Sequence, residues 1–193
     1  LLAAIFFSIT QLTFSQEKME WIDVDKIWKE AGAYESKGEY QNALTEINKI
    51  PAADSSYISS LTSKSYYLIN NDKYKEAIEV AEEGLVSKYQ TFHYYFTLNK
   101  IAGLLGLEDY ENSLIALDEA LKTYPTNHKL YYNKGVCYEG LKKYTKAAEM
   151  YQKSITYNPF YAKNHLRLAI LCYDEHLITQ AMMCLDMYLL CNP

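Results

Sequence analysis

Glycine and proline are scarce, at 7 and 4 of 193 residues, which excludes collagen-like repeats and flexible low-complexity linkers. No cysteine precedes Cys137, so no thiol near the start can carry a lipid anchor. Charge is not gathered into blocks: acids and bases are interspersed and sum to −5, which speaks against a duplex nucleic-acid partner needing many phosphate contacts. No apolar run reaches the about 18 to 20 residues that span a bilayer, so no membrane span is expected in the mature chain. Also missing are a phosphate-cradling glycine loop, a serine nucleophile elbow and paired-cysteine metal spacing. His93, His128, His165 and His176 are scattered, and Cys172 with His176, four apart, falls short of the three or four ligands a stable zinc site needs. Neither an enzyme nor a metal or cofactor is expected.

What is present is ordinary globular material, 49% apolar and 22% charged, rich in the helix formers Ala, Leu, Lys and Glu. Tyrosine is abundant, at 20 residues, and an aromatic ring with a polar hydroxyl suits both half-buried helix faces and recognition surfaces. Leu1 to Ile9 is apolar apart from Ser8, and Thr13 and Ser15 stand at the minus-three and minus-one positions of a cleavage site before Gln16. Residues 1–15 therefore read as a signal peptide cleaved near Ser15/Gln16, followed by a short lead-in over 16–23. The product is expected to be periplasmic or secreted; the alternative is a retained anchor whose apolar run starts before Leu1. The first residue is not Met and the last lies inside a repeat, so the sequence reads as a piece of a longer chain.

A period of 34 runs through the rest. An aromatic is followed three residues later by a small residue at Tyr40 and Ala43, Tyr74 and Ala77, Tyr110 and Ser113, and Tyr144 and Ala147, with Ile178 and Ala181 as a fifth copy. Four residues beyond each small residue stands an apolar one, Ile47, Ala81, Leu117, Tyr151 and Leu185, which is helical spacing. Pro125, Pro159 and Pro193 close the last three units at one offset, as helix stops.

This pattern resembles the tetratricopeptide repeat, a 34-residue helix-turn-helix, with units at 24–57, 58–91, 94–127, 128–161 and 162–193. The fourth unit resembles it most fully, through Tyr131, Gly135 and Tyr138 on its first helix and Tyr144, Ala147, Tyr151 and Pro159 on its second. Departures are Pro51, where the first unit should still be helical, the two extra residues Phe92 and His93, and Ile101 and Ala169 in place of the expected glycine. The resemblance implies an all-α protein, a right-handed superhelical α-solenoid of five hairpins, each stacking to bury what a single hairpin cannot. Met182, Met183, Leu189 and Leu190 are left exposed on the last unit, so more chain is expected beyond Pro193.

In the family, the first helices line a concave groove, and six places per unit face it. Those places carry Trp28, then Tyr66 and Asn70, then Tyr95 and Asn99, then Tyr132 and Asn133, then Lys163, Arg167 and Tyr173, which together are the expected peptide- or partner-binding residues. The twelfth places of the five units carry Glu35, Ile69, Leu105, Glu139 and Tyr173, and the sixth places Lys29, Ser63, Asn99, Asn133 and Arg167. Asn99 and Asn133 resemble two rungs of the asparagine ladder of the O-linked N-acetylglucosamine transferase repeats, whose amides grip a peptide backbone. Asn133, Lys163 and Arg167 match three of five places of the carboxylate clamp of chaperone-binding members, an incomplete match because Leu98 and Ala102 stand at the other two. The aromatics also suit sugar rings.

The implied function is a protein-interaction scaffold holding an extended peptide or partner segment in the groove. The alternative is a substrate-docking or anchoring arm of a larger exported protein whose functional domain follows the repeats. Neither partner identity nor oligomeric state is readable. Cys137 with Cys172, or Cys172 with Cys184, are conceivable disulfides in an exported protein; buried thiols acting as small hydrophobes are the other reading.

Overall fold

The computed structural model describes residues 22–192, so the expected leader and the start of the lead-in lie outside the described residues. Ten α-helices follow in hairpin pairs: α1 (Val24–Glu35) and α2 (Tyr40–Ile47), α3 (Tyr57–Asn70) and α4 (Tyr74–Leu85), α5 (His93–Gly106) and α6 (Tyr110–Thr123), α7 (His128–Gly140) and α8 (Tyr144–Tyr157), α9 (Ala162–Asp174) and α10 (Ile178–Cys191). Each helix packs on the next in sequence, and first helices also pack on each other, α3 with α5 and α5 with α7. Among the described residues this is an all-α solenoid, with α3, α5 and α7 in contact along the layer of first helices.

The hairpin turns share one backbone device. Gly38, Asp72, Glu108, Lys142 and His176 all have positive φ, two residues ahead of their second helix. In each, the next residue donates its N–H five residues back, as Lys143 does to the carbonyl of Tyr138 at 2.8 Å and Glu39 to that of Tyr34 at 2.9 Å. That bond satisfies a helix-end carbonyl, and only Gly38 reaches the left-handed region without a Cβ penalty. Asp23, Asp109 and Asn127 cap α1, α6 and α7 by accepting backbone N–H bonds.

The small residues expected at the helix crossings, Ala43, Ala77, Ser113, Ala147 and Ala181, are all buried. Three of the departures from the repeat, Pro51, the inserted residues and Ile101, have a structural answer. α2 is only 8 residues long and ends at Ile47, before Pro51 can interrupt it. A 3-10 turn over Gln90–Phe92 absorbs the extra residues before α5. Ile101 stands where the fourth unit has Gly135, and Leu117 where that unit has Tyr151. Ile101 and Leu117 share one buried cluster, whereas a Cβ on Gly135 would lie 2.4 Å from the Tyr151 ring. Volume lost on one helix is regained on its partner.

A pair of substitutions separates packing from helix propensity. Gly32 is exposed and nothing would meet its added Cβ within 4 Å, so Gly32→Ala is expected to stabilise the protein by about 0.5–1 kcal/mol. Gly135→Ala meets the ring of a fully buried tyrosine. Overpacking of ~1–3 kcal/mol there outweighs a propensity gain of ~1, so the urea midpoint should fall for this variant and rise for the other.

Alone among the second helices, α10 has only one buried residue, Ala181. Leu185 occupies the repeat place of the fully buried Leu117 and Tyr151 yet is 43% exposed, and Met182, Met183, Leu189 and Leu190 are exposed beside it. Among the described residues, no helix is long and apolar enough to cross a membrane.

Candidate functional site

The inner layer of first helices carries the residues singled out from the repeat, and the structure sorts them. Tyr66, Tyr95 and Asn99 come together around a cavity of about 200 Å³, joined by Glu35, Thr62 and Ser63. Tyr95 is 55% exposed, its ring resting edge-on 5.5 Å from Tyr94. Tyr66 stands edge-on to Tyr40 at 5.9 Å; the Tyr40 hydroxyl, then burial, then the charge of Glu35 push its phenol up from the ordinary range. Tyr67, buried behind it, donates its hydroxyl to Glu35 Oε2 at 2.8 Å, and its phenol is held well above the usual range by burial first and Glu35 second.

Asn99 is half-buried, and its Nδ2 donates to the Thr62 carbonyl at 3.0 Å and to Ser65 Oγ at 2.7 Å. Both amide hydrogens are thus committed to the neighbouring unit, leaving Oδ1 as what the residue can offer a ligand. Asn133, at the equivalent place, makes no side-chain hydrogen bond among the described residues and is also half-buried. The two amides therefore differ: Asn99 bonds the neighbouring unit, and Asn133 bonds none of the described residues. Asn164 joins repeats as Asn99 does, buried and donating to Ser154 Oγ at 2.8 Å.

A second cavity of about 330 Å³ is lined by Tyr110, Tyr144, Glu139, Arg167 and Asp174 among others. Here Arg167 Nη1 donates to Glu139 Oε1 at 3.1 Å, and the Tyr151 hydroxyl donates to Glu139 Oε2 at 2.6 Å. Burial works against the Arg167 charge, but Tyr132 and Glu139 more than offset it, so its basicity is pushed up. Arg167 is thus paired within the chain, and of the two cations that resemble the carboxylate clamp only the exposed Lys163 lacks an ion pair among the described residues. Tyr132 is half-buried against Tyr151 and Tyr161, at 5.7 and 5.3 Å, and burial with Tyr132 alongside pushes the Tyr161 phenol up to about 12. Trp28 packs against the core of the first unit. Asn70 is exposed and donates to the Tyr66 carbonyl at 2.8 Å, and Tyr173 is 66% exposed. Trp28, Asn70, Tyr132, Asn133, Lys163 and Tyr173 line neither cavity.

The four cysteines are free thiols. Cys137 is buried and donates to Ser113 Oγ at 3.2 Å; burial and then the neighbouring Cys172 push the Cys184 thiol up.

Two carboxylates, Glu35 and Glu139, line the cavities in addition to the residues expected from the repeat. The sign of their importance was present in the repeat, since both occupy the twelfth place.

Stacked helical hairpins with exposed tyrosines and polar cavities on their first helices are the architecture of helical-repeat scaffolds. Residues 128–161 match the sequence profile of the tetratricopeptide repeat. Over 86 residues, 45% of this chain, the sequence is 36% identical to Tetratricopeptide repeat protein 12 of Mus musculus, a match covering 12% of that protein. Among solved structures, MamA (41-end) from Desulfovibrio magneticus RS-1 is similar with a TM-score of 0.65 at 21% identity, over 86% of this chain and 92% of that one. A crystal structure of MamA gives 0.64 at 18% identity, over 89% and 95%. At these identities the likeness to MamA is one of fold. Residues 128–161 thus carry a tetratricopeptide repeat, and the chain is similar to tetratricopeptide-repeat proteins in sequence over 45% of its length and in fold over most of it.

Proposed function

We propose that this scaffold holds an extended peptide or partner segment along the inner layer of first helices. The observation that carries the reading is the exposure of Tyr95 and Tyr173, two large aromatics on that layer, with Tyr95 at the rim of a polar cavity. Exposed aromatics on a rigid face are the residues that contribute most when a partner desolvates them. Asn133 adds a free amide for a peptide backbone, while Asn99 offers an acceptor only. The scaffold works outside the cytoplasm in this reading, a point that rests on the leader-like residues 1–15 alone.

The test is selection of displayed random dodecapeptides on the full chain, followed by affinity measurement with one selected, labelled peptide. Tyr95→Ala combined with Tyr173→Ala changes only exposed side chains, so the helical circular dichroism should be unchanged. Binding is expected to weaken about a hundredfold, two anchors at roughly 1.4 kcal/mol each. Equal affinity for parent and variant would move the binding surface elsewhere.

The face of α10 favours a second reading, in which the repeats are the docking arm of a larger protein and another element packs on Leu185 and Met182 as α9 packs on α8.

A further inference from the structure

The two groove carboxylates occupy equivalent places but differ in what completes them. Glu139 receives a tyrosine hydroxyl on Oε2 and the Arg167 guanidinium on Oε1, the arginine coming from the sixth place of the next unit. Glu35 likewise receives a tyrosine hydroxyl on Oε2, from Tyr67, but among the described residues no cation pairs with it. The sixth place of its next unit is Ser63, which lines the cavity where the longer side chain would lie. Both carboxylates line a cavity, but Glu139 is paired with a cation from within the chain and Glu35 is not.

The space beside Glu35 is rich in acceptors. Glu35 is a carboxylate, both Asn99 hydrogens are spent so that its amide can only accept, and the Thr62 hydroxyl, which donates to the Ser59 carbonyl at 2.6 Å, is left to accept, while the Ser63 hydroxyl can do either. Tyr66 and Tyr95 add aromatic faces. A planar, five-donor cation that pairs with carboxylate and stacks on rings matches these walls, which is the description of a guanidinium. The net charge of −5 favours the same partner at longer range.

We infer that the cavity between Glu35, Ser63, Tyr66, Tyr95 and Asn99 binds an arginine side chain of the held peptide, its guanidinium taking the place beside Glu35 that Arg167 takes beside Glu139. This rests on the groove reading and makes it specific: the preferred partner segment carries an arginine that docks across the first three units.

The probe is N-acetyl-arginine methylamide, titrated to millimolar concentration against the isotope-labelled full chain while the Asn99 side-chain amide resonances are followed. N-acetyl-citrulline methylamide, the neutral analogue of the same shape, is the control. Saturable shifts with arginine are expected, about tenfold or more weaker with citrulline. Glu35→Gln keeps an acceptor for the Tyr67 hydroxyl while removing the charge, and should abolish the arginine response with the rest of the spectrum unchanged. Ser63→Arg should supply the guanidinium from within and block the probe. Equal response to arginine and citrulline, a response that survives Glu35→Gln, or no shift at Asn99 each overturns the inference. The amino-acid probe is independent of peptide selection, so failure here with successful selection rejects the pocket and leaves the groove standing.

Discussion

Tyr151→Ala should cost about 3–5 kcal/mol of folding stability, the range for removing a large buried ring. The side chain is fully buried, lies against Gly135, and shares a cluster with Leu168 and Leu171 of α9. It therefore ties both helices of the fourth unit to the fifth. Glycine cannot fill the space left, so the truncation opens a cavity rather than a collapsed surface. Glu139 would also lose one of its two bonds, leaving Arg167 as its remaining partner. Tyr151→Phe separates the contributions: it keeps the ring and removes a hydrogen bond to a charged acceptor, for a loss of about 1.5–3 kcal/mol. Urea unfolding of the three proteins checks the order. A loss below about 1 kcal/mol for the alanine variant would show that the ring is not what holds these units together.

Phe96→Ala is expected to cost a similar ~3–5 kcal/mol but at a different place. Phe96 is fully buried with Leu61 and Ala81 of the second unit, and its ring lies where a Cβ on Gly84 would come within 2.2 Å. The phenylalanine is on α5, so its cluster joins the second unit to the third. In a stack where each unit contacts its neighbours, stability is a sum over units and interfaces, and weakening one interface lowers cooperativity. The first two units should then open at lower urea than the last three, visible as early loss of hydrogen-exchange protection in α1 to α4. A single transition at an unchanged midpoint would contradict this.

Much of the fold was legible because the repeat makes one packing solution visible five times. A small residue at Ala43, Ala77, Ser113, Ala147 and Ala181 has a steric cause at every copy, and all five are buried. Compensation was harder to read: Ile101 in place of glycine looked like a blemish, because its partner Leu117 lies on the other helix. The turns hid for another reason. Asp72, Glu108, Lys142 and His176 adopt a backbone that only Gly38 advertises by residue type.

The candidate site was legible as a set of places and illegible as a set of bonds. Position in the repeat placed Tyr66, Tyr95 and Asn99 on one face, and they do share a cavity. It did not show that Ser65 and Thr62 take both amide hydrogens of Asn99, which depends on how closely two units approach. Nor did it show Arg167 pairing with Glu139, because helical spacing relates charges three or four residues apart and this partner lies 28 residues back on another helix. Bonds between units decide which polar groups remain for a ligand.

The most direct test of the groove is to map where a selected peptide sits, by following backbone amide shifts of the isotope-labelled full chain during titration. The account predicts a continuous track of shifts along α3, α5, α7 and α9, including Tyr95, Asn133 and Tyr173, with α4, α6 and α8 unmoved. Shifts confined to the second helices or to α10 would contradict it.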